Sequence, residues 1–218
     1  MKESVAKFVP ITSEAFEENA YLAYLPTRSD CVVFDPGLEP EKILTAVFER
    51  KLEVVAILCT HGHADHIAGN RALKEHWPDA PLIIGVGDAI KLIDSAENLS
   101  AGYGVPLTSL PADQTVSEGD VVECAGLRFE VRETPGHSSG HVVFIASELT
   151  PIQVVGGDVL FSGSVGRTDL PGCSFEVLER SIREKLYTLP DETIVLPGHG
   201  PATTIGKEKR TNPFVNDK

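Results

Sequence analysis

The sequence predicts an α/β sandwich in which two mainly β-sheets stack face to face with helices on the outside. Three observations carry this. Short runs rich in Val, Ile and Phe alternate with turn signals along the chain, strands precede helices in both halves, and Val54-Val55-Ala56-Ile57-Leu58-Cys59 is apolar on both faces. A strand apolar on both faces belongs in the middle of a sheet covered on both sides. No low-complexity linker divides the 218 residues, so residues 1–218 are expected to form a single domain, with 201–218 as a short carboxyl-terminal tail.

The elements follow in order. Cys31-Val32-Val33-Phe34 predicts a strand, stopped by Asp35-Pro36-Gly37. A helix should begin near Pro40, because Ile43, Leu44, Val47 and Phe48 share one face. The central strand at 54–59 comes next, then a helix from about Ala68 to Trp77 that ends before Pro78. Leu82-Ile83-Ile84 predicts another strand, Asp88 to Asp94 a short helix, and Ser95 to Ala112 a loop. Val121-Val122 and the alternating Leu127, Phe129 and Val131 predict a hairpin closed at Ala125-Gly126. Strands at Val142–Ile145 and Ile152–Val155, a helix at Ser174–Tyr187 and a strand at Thr193–Leu196 complete the second half.

Composition narrows the function. The net charge of -13 argues against nucleic acid or an anionic membrane as partner, since phosphate binding draws on clustered Lys and Arg. Cys31, Cys59, Cys124 and Cys173 lie far apart with no CxxC pair, which predicts reduced thiols and a cytoplasmic address. The start carries Glu3 and no long apolar run, and nowhere do eighteen apolar residues follow one another. Neither a signal peptide nor a membrane span is expected.

The chemistry concentrates in Thr60-His61-Gly62-His63-Ala64-Asp65-His66, directly after the central strand. Three of the seven histidines sit here beside a carboxylate, and imidazole nitrogen with carboxylate oxygen suits zinc, iron or manganese. Four potential ligands this close hardly converge on one ion, so two metals are expected. Three further candidates share a setting of strand, glycine, then ligand: His137 after Gly136, Asp158 after Gly157, and His199 after Gly198. Glycine at a strand end permits the turn that aims the next side chain over the sheet edge. His141 is expected to support the ligands or the core, Thr60 to hydrogen-bond a ligand, His76 to lie on the surface, and Cys59 to be buried packing.

Taken together, His61-x-His63-x-Asp65-His66, His137, Asp158 and His199 resemble the metallo-β-lactamase superfamily over nearly the whole chain. The resemblance implies an αββα sandwich with one metal held by His61, His63 and His137 and a second by Asp65, His66 and His199. Asp158 would bridge both, with a hydroxide completing the bridge. Phe16-Glu17-Glu18-Asn19-Ala20-Tyr21, Pro135 to His141, Gly157 to Gly163 and Lys207 to Phe214 are most similar to the glyoxalase II branch. That branch implies a metal-dependent thioester hydrolase acting on S-2-hydroxyacylglutathione, with Asp65 and Asp158 as catalytic carboxylates.

Two departures bear on the substrate. Only a short tail follows His199, where glyoxalase II proper has a longer helical segment, and Gly166-Arg167-Thr168-Asp169 and Pro201 stand where that family has other residues. Arg167 remains a candidate for a substrate carboxylate, and Lys207, Lys209 and Arg210 form a second basic group. The Gly166–Asp169 segment is also similar to persulfide dioxygenases, which implies an alternative in which His61, His137 and Asp158 hold one Fe(II) and glutathione persulfide is oxidised. A non-catalytic metal module is the remote third reading, since structural zinc sites are closed and have four ligands.

Overall fold

The computed structural model describes residues 6–217, so Glu3 lies outside the described residues. The amino-terminal half builds one six-stranded sheet in chain order: β1 (Lys7–Thr12), β2 (Asn19–Tyr24), β3 (Asp30–Phe34), β4 (Glu53–Cys59), β5 (Leu82–Gly85) and β6 (Gln114–Val116). β1, β2 and β3 pair antiparallel, and β3 to β6 pair parallel. Parallel neighbours need crossovers. These are α1 (Pro40–Glu49) after β3, α2 (Ala64–Ile67) and α3 (Asn70–His76) after β4, and 3-10 turns at Val86–Leu92 and Ser100–Tyr103 after β5.

The second half builds the other sheet from β7 (Val121–Cys124), β8 (Leu127–Glu133), β9 (Val142–Ala146), β10 (Gln153–Gly157), β13 (Ile194–Pro197) and β14 (Thr203–Thr204), in the order β14-β13-β10-β9-β8-β7. Between β10 and β13 lie the small hairpin β11 (Leu160–Phe161) and β12 (Ser164–Val165), then α4 (Phe175–Ser181), whose end passes into a π turn over Ile182–Leu186. α5 (Ile205–Thr211) follows β14.

Strand alternation sorts the apolar residues into three layers. Val32 and Phe34 of β3 and Phe144 of β9 face each other between the sheets, where Phe34 and Phe129 meet edge to face at 5.2 Å. The alternate residues Cys31 and Val33 turn outward onto Ile43, Val47 and Leu73 of α1 and α3. Val143 and Ile145 turn outward onto Leu178, Ile182 and Ile205. Helix, sheet, sheet, helix is the layering expected, because each sheet needs both faces covered. A register shift between β3 and β4 at Cys31/Val32 lets Val54 face the helices while Ala56 and Leu58 face the other sheet.

Several local expectations shift. The helix read from about Ala68 to Trp77 is α3, Asn70–His76, and a separate short helix, α2, precedes it over Ala64–Ile67; the chain turns between them at Ala68-Gly69, where the Gly69 N–H donates to the Pro36 carbonyl at 2.7 Å. The segment Asp88–Asp94 is a 3-10 turn starting at Val86, and the expected loop holds a second such turn at Ser100–Tyr103. The hairpin turn falls on Ala125-Gly126, both at positive φ, as a two-residue connection requires. The tail is not bare: α5 starts on the Thr204 side chain, which accepts from the Lys207 N–H.

Candidate metal centre

The turns that carry the candidate ligands gather at one end of the sandwich. β4 leads into Thr60-His61, β8 into the Thr134–His137 turn, β10 into Asp158 and β13 into Gly198-His199. The Val142 N–H donates to the Thr60 carbonyl at 2.8 Å, joining the two sheets at this rim. Close approach demands glycine here. Gly157 has φ +48°, and a Cβ on it would meet Thr60 and His141 Nε2; a Cβ on Gly198 would meet Asp158 Oδ1 and His66.

Seven side chains converge. Ligand-capable atoms of His61, His63 and His137 lie within 4.8 Å of one another, as do those of His61, His66 and Asp158, and those of Asp65, His66 and His199. Asp158 spans the gathering: Oδ2 lies 3.4 Å from His137 Nε2 and 3.5 Å from His199 Nε2, and Oδ1 lies 3.5 Å from His66 Nε2. Asp65 Oδ2 is 3.4 Å from His199 Nε2 and 3.8 Å from His66 Nε2.

The opposite ring nitrogens are fixed by acceptors, and this sets which nitrogen carries hydrogen. His137 Nδ1 meets the Arg167 carbonyl at 2.8 Å and His199 Nδ1 the Phe16 carbonyl at 3.0 Å. A carbonyl only accepts, so both rings carry hydrogen on Nδ1 and present a lone pair from Nε2. Thr60 Oγ1 donates to Asp35 Oδ2 at 2.7 Å and so accepts from His61 Nδ1 at 3.1 Å, while His66 Nδ1 lies 3.3 Å from Asp35 Oδ2. His61 Nε2, His66 Nε2 and Asp158 Oδ1 are buried without a hydrogen-bond partner. His63 Nδ1 faces the His137 Nε2 lone pair at 2.9 Å. Buried polar atoms left without a partner beside a carboxylate, as His61 Nε2, His66 Nε2 and Asp158 Oδ1 are, are disfavoured unless a positive charge sits among them. The donor set fits divalent cations.

Electrostatics run the same way. Burial works to raise the Asp158 carboxyl, but His66, His137 and His199 hold it far below the usual range, and His66 and His199 likewise outweigh burial at Asp65. Burial depresses His61, and together with His137 it pushes His63 down to about 3, so both stay neutral as ligands must. His66 goes the other way: Asp158 and Asp65 overcome its burial and raise it well above the ordinary value.

The supporting residues divide by what they touch. Thr60 links His61 to Asp35, and the Thr60 N–H also donates to Asp35 Oδ1 at 2.6 Å. His141 is buried, with Nδ1 on Thr134 Oγ1 at 3.0 Å and Nε2 accepting from the Asp158 N–H at 3.1 Å. It holds the Asp158 backbone and stands outside the three groups of converging atoms. Asn19 and Tyr21 fix the His199 turn: Asn19 Nδ2 donates to the carbonyls of Pro197 and Gly200, and the Tyr21 hydroxyl to Pro197. His76 is exposed and Cys59 fully buried, its thiol pushed up by burial.

Three carboxylates escaped the sequence reading. Asp35 was legible only as a turn residue, although it ends a strand parallel to β4 and therefore sits beside Thr60. Asp88 accepts from the Gly62 and Gly140 N–H groups at 2.9 and 2.8 Å, from Lys91 Nζ at 2.9 Å and from the Ser138 hydroxyl. It thereby ties the His61–His63 turn to the turn after His137. Glu18 is buried 4.0 Å from His66 Nδ1, and burial raises its carboxyl well above the usual range. No spacing in the sequence marks Asp88 or Glu18.

A cavity of about 600 Å³ opens over the centre, with His63, Asp65, His137, Asp158 and His199 in its floor and Arg167 on its wall. The basic tail residues are elsewhere. Lys209 and Arg210 reach Asp191 at 3.2 and 3.3 Å, and Lys207 Nζ donates to Ser162 Oγ at 2.6 Å. None of the three is among the residues that line the cavity, although Lys207 reaches Ser162 in the turn between the lining residues Phe161 and Ser164.

Residues 14–199 match the metallo-beta-lactamase superfamily. The chain belongs to that superfamily. It is 38% identical to the hydroxyacylglutathione hydrolase GloC of Haemophilus influenzae over 215 residues, which are 97% of this chain and 98% of that protein. Among solved metallo-beta-lactamase folds, the BLEG-1 B3 enzyme superposes with a TM-score of 0.91 at 37% identity, covering 96% of this chain and 99% of that one. TTHA1623 in a di-iron-bound form gives 0.81 at 42% identity, covering 94% and 99%. At this level the chain is a metallo-hydrolase of the metallo-beta-lactamase superfamily. No helix among the described residues is long and apolar enough to cross a membrane.

Proposed function

We propose that the chain hydrolyses thioesters, S-2-hydroxyacylglutathiones such as S-lactoylglutathione foremost, at a centre of two divalent cations. The observation that carries this is the convergence of seven side chains beneath one open cavity. His61, His63 and His137 would hold one cation, and Asp65, His66 and His199 the other. Asp158 would be shared, since its two oxygens face both groups. Cations there, whether zinc, iron or manganese, would polarise the thioester carbonyl and bring a shared water toward ionisation near neutral pH. The likeness to GloC and to a di-iron protein supports both the substrate and the metal count.

The chain's own groups then have defined work. Asp65 and Asp158 stay ionised and supply the negative charge that keeps two cations close. Asp65 borders the cavity, placed to accept a hydrogen bond from the attacking water. No side chain is required as nucleophile: Cys59 is fully buried, away from the cavity. A single-iron dioxygenase using only His61, His137 and Asp158 would leave the Asp65–His66–His199 group without work, which favours hydrolysis. The free, buried Cys31 and Cys59 fit the reducing cytoplasm.

The test is thiol release from S-D-lactoylglutathione by protein of measured metal content. Two ions per chain and at least a hundredfold loss of turnover in Asp158→Ala and His63→Ala are expected. Wild-type-like turnover in either variant, or oxygen uptake with glutathione persulfide at one iron per chain, would overturn the proposal.

A further inference from the structure

We infer that Ser164 reads the acyl group: its hydroxyl receives the 2-hydroxyl of a 2-hydroxyacyl thioester and sets the preference for such groups over plain acyl groups. The inference rests on the thioester reading above and deepens it. A 2-hydroxyl stands one carbon from the carbonyl under attack, so whatever receives it must lie near the centre. Ser164 lines the cavity and pairs directly across the β11–β12 hairpin with Phe161. Residues opposite one another in a hairpin share a face, and the Phe161 ring meets His199 edge to face at 6.1 Å. Two residues on, Gly166 packs against the same floor, where a Cβ would meet the Asp158 carbonyl and the His137 side chain.

The other amide and hydroxyls of the wall are engaged. Asn98 Nδ2 donates to the Lys91 and Leu107 carbonyls, and the Ser100 hydroxyl donates to Asn98 Oδ1 at 2.6 Å. The Tyr103 hydroxyl sits beside the Arg167 guanidinium, which is forked onto Asp169 by hydrogen bonds of 2.8 and 2.9 Å. That chain of groups suits a carboxylate of the thiol carrier. Ser164 differs. Among the described residues it is bonded through its backbone only, its carbonyl accepting from Asn212 Nδ2 at 3.0 Å. A substrate hydroxyl brought out of water needs a partner, and a free serine hydroxyl both donates and accepts.

The hairpin is held from behind. Glu208 of α5 is buried and accepts from the Gly163 N–H and from Asn212 Nδ2, both at 2.9 Å. Asn212 is buried too. The turn at Gly163, with φ +76°, and the Ser164 backbone are thus fixed before any substrate arrives, which lowers the ordering cost of the contact.

The experiment compares S-D-lactoylglutathione with S-propionylglutathione, which lacks only the 2-hydroxyl, on the metal-loaded protein. The lactoyl-to-propionyl ratio of kcat/KM should fall about fivefold in Ser164→Ala, as the loss of one neutral hydrogen bond predicts. Comparing that ratio between variant and wild type cancels the greater electrophilicity of the lactoyl carbonyl. In parallel, D-lactate and propionate are titrated into both metal-loaded proteins, with affinity read by calorimetry. If neither ester is turned over, the thioester reading falls, and a lactate preference that shrinks about fivefold in Ser164→Ala would still uphold the contact. An unchanged lactoyl-to-propionyl ratio or, where no ester turns over, an unchanged lactate preference would overturn the inference.

Discussion

Removing the Asp88 carboxylate should unfasten the centre from behind. Its side chain is fully buried and accepts from two backbone N–H groups, one hydroxyl and the buried Lys91 ammonium. Asp88→Ala strands these donors; each buried donor left unpaired costs about 1–3 kcal/mol. An uncompensated buried charge brings the loss for the pair to about 3–5 kcal/mol. We expect about 4 kcal/mol of destabilisation for Asp88→Ala by urea unfolding of chelator-treated protein. Asp88→Asn combined with Lys91→Met should lose less than Asp88→Asn alone, because the stranded charge goes with the pair.

The effect should also reach the metals, since the tie joins the turns bearing His61, His63 and His137 but touches none of Asp65, His66 or His199. Affinity for one ion of two should drop about 10–100-fold. The pH sign follows. Burial raises the Asp88 carboxyl, but Lys91, Ser138 and the Gly62 N–H outweigh it and hold it below the usual range. Its contribution is therefore present above the unfolded value of about 3.9 and lost as pH falls through the lower folded value. A loss under about 1 kcal/mol in Asp88→Ala, or two ions bound as tightly as before, would refute the reasoning.

Other outcomes follow from the same contacts. Asp35→Ala removes the acceptor shared by Thr60 and His66, and should weaken metal binding about 10–100-fold as measured by competition with a chelator. Gly157→Ala places a Cβ at φ +48° against Thr60 and His141; its denaturation midpoint should correspond to at least about 2 kcal/mol lost, and an unchanged midpoint would contradict the close packing there. Lys209→Ala and Arg210→Ala should leave KM for any thioester within about twofold, because both side chains pair with Asp191 outside the cavity. A tenfold rise in KM would return them to the substrate.

The central strand and its ligands were legible because both signals are local. Val54–Cys59 is continuous in its apolar character, and His61 to His66 lie within six residues. The glycine before each distant ligand was readable for the same reason. What escaped was set by neighbours far along the chain. β1 carries Pro10 and only loose alternation, and exists because it pairs along β2 at the sheet edge. α5 has little apolar periodicity; it is held by buried Glu208, which accepts from the Thr203 hydroxyl, the Gly163 N–H and Asn212 Nδ2. Asp35 meets Thr60 across 25 residues and Asp88 meets Gly140 across 52, distances at which no periodicity in a single chain reports.

Each sheet is drawn from its own half of the chain, and the seven converging side chains are split between them: His61, His63, Asp65 and His66 from the first, His137, Asp158 and His199 from the second. Cations bound there would act as a clasp between two leaves, so part of their binding free energy becomes cohesion of the sandwich. At a free metal concentration a hundred times the dissociation constant, that cohesion is about 2.7 kcal/mol. Chelation would then do more than silence turnover. It would lower the barrier to the leaves parting at this rim, and protease sensitivity of the turns around Gly62 and Gly198 would report the state of the clasp.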